Sequence, residues 1–225
     1  MVRTGQDWLF RRAFSGMRIS VRDSQSAAEV VRLGLESPAV LPDAISLLYP
    51  RMGAYPHSLE SNGKVLLNLL DVTKRPDRHE AEFSPESWGP FCADLVHSLG
   101  PRAMGLVVGA EDATFLAELG VTDVVYPQTT AELVGLIKGS DGIFSTRMHP
   151  YLLGTMVDVP VLGVPYCGKV RPTAELVGVG HALLEELDVV RVRQQMSSIT
   201  SADEAWSQAW DLNHSWLQDA LGLRT

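Results

Sequence analysis

The sequence predicts an α/β protein built on a doubly wound parallel sheet, closed by a C-terminal amphipathic helix. Three observations carry this. At 225 residues, 45% hydrophobic and 20% charged, the chain has the size and composition of a soluble globular protein that buries a real core. From Lys64 onward, short apolar runs alternate with helical periodicity, and alternation at that pitch implies parallel strands joined by helical crossovers. The tail then carries apolar residues at helical spacing.

The elements follow in order. Residues 7–17 read as a short amphipathic helix with Trp8, Leu9, Ala13 and Phe14 apolar, and residues 18–22 as a strand. Asp23-Ser24 suits the cap of a helix whose apolar stripe is Ala27, Val30, Val31 and Leu33. Residues 38–63, rich in proline, glycine and polar residues, read as a loop-rich connection with a short strand near 45–48. Strands are expected at 65–70, 104–108, 124–126, 142–145 and 161–164. Between them lie helices at 85–99, with Trp88, Phe91, Leu95 and Val96 inward, at 111–119, at 130–137 behind Thr129, and from His149. The last helix spans 203–221, where Ala205, Trp206, Ala209, Trp210, Leu217 and Leu221 recur at helical spacing and Trp216 adds apolar surface. Three tryptophans in one helix need a surface to cover: this domain, another domain or another chain.

Charge and cysteine usage exclude several function classes. A balance of 19 basic against 27 acidic residues, net −8, argues against a nucleic-acid or anionic-membrane binder, since such partners select a basic face. Cys92 and Cys167 stand far apart without CxxC spacing, which points to a reducing compartment rather than a disulfide framework or zinc site. The N-terminus lacks an apolar signal core, and no run approaches the roughly 18 apolar residues of a membrane span. A cytoplasmic protein is expected. The six histidines are scattered, with no HxH or HxxxH pair, so no metal site is expected.

The most informative stretch is Asp141-Gly142-Ile143-Phe144-Ser145-Thr146-Arg147-Met148-His149-Pro150-Tyr151. An apolar strand stops, and Arg147 and His149 then stand two residues apart where a helix begins. Strand ends of open α/β sheets are where ligands bind, and a helix N-terminus favours anions. Arginine offers a two-pronged donor to phosphate or carboxylate, and histidine moves protons near neutral pH. The stretch therefore points to an anionic substrate undergoing acid–base chemistry. Pro150 suits a first helical turn, and it is expected to hold His149 in extended backbone, aiming the ring into the cleft.

Three motifs then resemble a known family. Ile19-Ser20-Val21-Arg22-Asp23-Ser24-Gln25-Ser26 resembles the SVRDxxS signature of the polysaccharide pyruvyl transferases, and Arg147-Met148-His149 matches their RxH motif. The segment from Val159 to Lys169 is similar to their GVPxxGIxYDPK segment, with Cys167-Gly168 in place of Asp-Pro. Order and spacing agree over about residues 7–200. The resemblance implies half of a fold like that of GT-B glycosyltransferases: a remnant of an N-terminal domain at 1–22, a Rossmann-like C-terminal domain at 23–202, and the helix at 203–225. Most of the first domain is expected to be absent. It also implies transfer of the pyruvyl group of phosphoenolpyruvate onto a pair of sugar hydroxyls, as a cyclic ketal, in cell-surface or exopolysaccharide synthesis. The implied partners are phosphoenolpyruvate, as donor substrate rather than cofactor, and a glycan acceptor. His149 would be the general acid/base. Arg147 and Arg22 would bind phosphate or carboxylate, and Lys169 would add a further cation.

Each residue also has a plainer reading. His149 could simply start a helix, Arg22-Asp23 could be a surface ion pair worth roughly 0–1 kcal/mol with a cap, and Lys169 could be solvated surface. Two other functions stay open. One is a partner-dependent or non-catalytic half-enzyme, with the C-terminal helix docking a protein partner or a second copy. The other is a nucleotide-sugar glycosyltransferase or epimerase of similar architecture.

Overall fold

The computed structural model describes residues 6–55, 62–197 and 202–223. The chain starts with a small β-α-β unit preceded by a helix, α1 (Asp7–Phe14), in which no residue is buried. Strand β1 (Ser20–Val21) leads into α2 (Ser24–Arg32), and β2 (Ala39–Val40) returns to pair with β1 in parallel. Asp23 caps α2 by accepting from the Ser26 N–H at 2.6 Å and the Ser26 hydroxyl at 2.8 Å. Arg22 does not pair with it. The expected boundary at 22/23 falls inside this unit.

A 3₁₀ helix, Ala44–Ala54, follows where a short strand was expected near 45–48. Asp43 caps it by accepting from the Ile45 N–H at 3.1 Å. Its apolar side packs against α6 and α9, described below, and among the described residues no strand pairs with it.

The main sheet is parallel throughout. Its strands are β3 (Val65–Asn68), β4 (Ala103–Leu106), β5 (Val124–Val125), β6 (Gly142–Ser145) and β7 (Val161–Gly163), in spatial order β5-β4-β3-β6-β7. Crossovers run through α3 (Pro85–Leu99), α4 (Ala110–Glu118), α5 (Thr130–Lys138) and α6 (Met148–Met156). The strands build outward from β3 toward β5, then jump back to β6 on its other side. That reversal makes the carboxyl ends of β3 and β6 the topological switch point, where open α/β sheets bind ligands.

Two apolar layers, one on each sheet face, hold the fold. Trp88, Phe91 and Leu95 on α3 are buried as their spacing predicted, and the Trp88 Nε1–H donates to Leu70 O at 2.9 Å. β6 ends where expected, at Ser145, whereas the other four strands stop short of their expected ends, although Leu69 and Leu70 stay buried beyond the β3 ladder. Two helices were not expected: α7 (Val170–Val177) and α8 (Val189–Ser197). In both, charged or polar residues interrupt a short apolar stripe.

The last helix, α9 (Asp203–Ala220), covers this domain. Trp206 is fully buried and its Nε1–H donates to the Thr155 Oγ1 of α6 at 3.1 Å. Asn213 is buried against the 3₁₀ helix. Leu212, Leu217 and Leu221 remain exposed on the far side. No described helix is long and apolar enough to cross a membrane.

Candidate functional site

At the carboxyl ends of β3 and β6, a buried polar network forms. Asn68 closes β3 and is fully buried. Its Oδ1 accepts from the Ser145 hydroxyl at 3.0 Å and the Arg147 N–H at 3.1 Å, and its Nδ2 donates to Leu106 O and Asp112 Oδ2. Asn68 therefore ties β3, β4 and the start of α6 together at the switch point. Asp112, in the first turn of α4, is fully buried and accepts from the Val108 and Gly109 N–H groups at 3.1 and 3.0 Å.

Arg147 enters this network instead of pointing at open cleft. Its Nε donates to Asp112 at 2.9 Å. Its Nη2 lies 2.9 Å from both Asp112 and Glu111, a charge contact without hydrogen-bond alignment. Burial works against the guanidinium charge, but Asp112 and Glu111 outweigh it and raise the Arg147 pKa. Nη1 is the donor left without a partner among the described residues, on a side chain 28% exposed. Gly109 makes room for the group: a Cβ there would stand 2.3 Å from Arg147 Nη2.

His149 turns toward a different set of partners. Arg147 has extended backbone as the N-cap of α6, and His149 lies inside the first turn. The expected extended backbone at 149 is thus corrected by one helical boundary. The helix tolerates Pro150 because its missing N–H falls among those a first turn leaves unpaired anyway. The His149 ring is 59% exposed, with Nε2 3.8 Å from Asp43 Oδ1, an ion-pair distance too long for a hydrogen bond. Asp43 Oδ2 also accepts from Arg22 Nη1 at 2.8 Å. Burial alone would raise the Asp43 carboxyl. The facing His149, the Arg22 guanidinium and the Ile45 N–H outweigh burial and hold it well below the usual carboxylate range.

The structure therefore brings Arg22 and His149 together through Asp43, with Arg147 on the same helix terminus but bound to Asp112. Lys169 is exposed just before α7, and nothing connects it to Arg22, Arg147 or His149 among the described residues. Asp43, Asn68, Gly109 and Asp112 escaped the sequence reading. Faint signals existed: Asp43 before an apolar run, Asn68 ending one, and an acid three residues after Gly109 in a capping position. Among the described residues, no group of three His, Cys, Asp or Glu could hold a metal ion. A mostly apolar cleft of about 370 Å³ between α3 and α8 lies at the strands' amino ends, the opposite edge from these residues.

Known proteins share this fold. HepE of Anabaena, solved in complex with UDP and glucose, superposes with a TM-score of 0.58 at 12% identity, over 98% of this chain and 67% of that one. A UDP-GlcNAc 2-epimerase from Neisseria meningitidis, bound to UDP-GlcNAc, gives 0.52 at 14% identity, over 94% and 62%. A glycosyltransferase from Rickettsia africae gives 0.50 at 9% identity, over 98% and 68%. At such identities the likeness concerns the fold, which is that of GT-B glycosyltransferases, and the chain spans about two thirds of the length of these proteins. No curated protein sequence matches the chain significantly. The family profile described as polysaccharide pyruvyl transferase matches residues 5–168. On that match, over well beyond half its length, the chain belongs to the polysaccharide pyruvyl transferase family.

Proposed function

We propose that this chain transfers the pyruvyl group of phosphoenolpyruvate to two hydroxyls of a glycan, forming a cyclic ketal and releasing phosphate. Family membership supports polysaccharide modification. The observation that carries the finer reading is an exposed imidazole facing a buried carboxylate at the start of α6, beside the switch point. Such a ring moves protons, and Asp43 compensates the charge it acquires while doing so.

In this reading the His149 imidazolium protonates the methylene carbon of phosphoenolpyruvate, converting it to a methyl group and leaving positive charge on the adjacent carbon. A sugar hydroxyl adds there, and its proton returns to His149. The carbon–oxygen bond to phosphate then breaks, and the second hydroxyl adds to the same carbon. Its proton neutralises the departing phosphate. Arg22 and the Nη1 of Arg147 offer donors to the phosphate and carboxylate, with Lys169 a further cation on this sheet edge. A positioned acid/base contributes on the order of 10²–10⁴-fold.

The test incubates the purified chain with phosphoenolpyruvate and an acceptor glycan in D₂O. Phosphate release with one deuterium in the new methyl group is expected. Thermal stabilisation by a nucleotide sugar, with none by phosphoenolpyruvate, would refute the reading. A partner-dependent module is the second reading. It is favoured by the exposure of His149. Its signature is phosphate release only after a second polypeptide is added.

A further inference from the structure

Asp43 and His149 lie far apart in the chain and reach the site on two different segments. Asp43 sits at the start of the 3₁₀ helix, and His149 in the first turn of α6. Both segments are tied to α9. The Asn213 Nδ2 donates to Pro42 O at 3.0 Å and to the Ser46 hydroxyl at 2.9 Å. The same hydroxyl donates back to Ala209 O at 3.3 Å. Asn213 thus grips the chain on both sides of Asp43. Ser46 is fully buried and Asn213 nearly so, so water cannot readily take over these bonds. Two turns back along α9, Trp206 anchors the helix to Thr155 of α6.

We propose that Asn213 is a positioning residue of the site: by holding Pro42 and Ser46 it sets the separation between the Asp43 carboxylate and the His149 ring. The proposal rests on His149 being the acid/base of the reaction. A 3.8 Å gap is short enough for charge compensation and is lost with a shift of an ångström or two, and misplacement on that scale costs about 10²-fold in rate. Two buried hydrogen bonds from one amide are the means by which the chain holds it. Both the far helix and the active carboxylate then belong to one rigid assembly.

The experiment compares wild type, Asn213→Ala, Asn213→Gln and His149→Ala by ¹³C NMR titration of the Asp43 carboxyl, assigned through Asp43→Asn. Phosphate release and melting are measured on the same samples. Asn213→Ala should titrate Asp43 at higher pH than wild type, in the direction of His149→Ala, and lower kcat by about 10²-fold with little change in KM. Asn213→Gln, which keeps an amide donor, should recover part of both. If Asn213→Ala does not fold, Ser46→Ala removes the neighbouring contact and is read in the same way. Wild-type titration in the folded variant would overturn the proposal, even if melting fell. If wild type itself releases no phosphate, the pyruvyl-transfer reading fails on its own, and the titration still decides whether Asn213 sets the pair.

Discussion

Replacing Asp112 with alanine tests the network under the site most directly. The side chain is fully buried, accepts three hydrogen bonds, from Val108, Gly109 and Asn68, and pairs with Arg147 Nε at 2.9 Å. Removing one partner of a buried pair costs about 3–5 kcal/mol, because the other charge is left uncompensated. The Arg147 side chain keeps its Glu111 contact and 28% exposure, which places the loss at the lower end, about 3 kcal/mol. At roughly 2–4 °C per kcal/mol for a chain of this size, Tm should fall by about 6–12 °C. Urea unfolding should show a lower midpoint with an unchanged slope. The double variant Asp112→Ala/Arg147→Met should regain at least 1 kcal/mol, roughly, over the additive expectation, since no lone charge is left inside. A single-variant loss below about 1 kcal/mol, or strict additivity, would refute the buried-pair account.

Other outcomes follow from the same geometry. His149→Ala should abolish phosphate release with Tm nearly unchanged, because the ring is 59% exposed and Asp43 keeps Arg22; a large Tm loss with retained turnover would make the histidine structural. Gly109→Ala should displace the Arg147 guanidinium, since the new Cβ would meet Nη2 at 2.3 Å; overpacking of this kind costs about 1–3 kcal/mol, read as a urea midpoint shift. Asp43 bears on acid stability. Its folded pKa lies below the ordinary carboxylate value, so its stabilisation is complete above the unfolded value and fades as pH falls through the folded one. Asp43→Asn should therefore be less stable than wild type at pH 7 and converge with it only in strong acid; equal stability at neutral pH would contradict this.

The core helix α3 and the cap of α5 were legible because each is a local pattern. Trp88, Phe91 and Leu95 fall on one face by helical spacing alone, and Thr129 accepts from the Glu132 N–H at 3.1 Å as a capping residue should. The 3₁₀ helix at Ala44–Ala54 was not legible, because its apolar residues serve a distant helix rather than a neighbouring strand. Arg22 illustrates the same divide. The sequence offered Asp23 as its ion partner by adjacency, yet the chain returns from elsewhere with Asp43 at 2.8 Å.

The sequence by itself determined the alternation that makes a parallel sheet, the motif order that marks the family, and the helix start that carries Arg147 and His149. These depend on periodicity and local chemistry, which neighbouring residues specify. Only the tertiary structure decided that Arg147 binds Asp112 and Glu111 while His149 faces Asp43. Which charges meet across a sheet edge depends on how distant segments pack, and a carboxylate's sequence position says nothing about the cation it will find there.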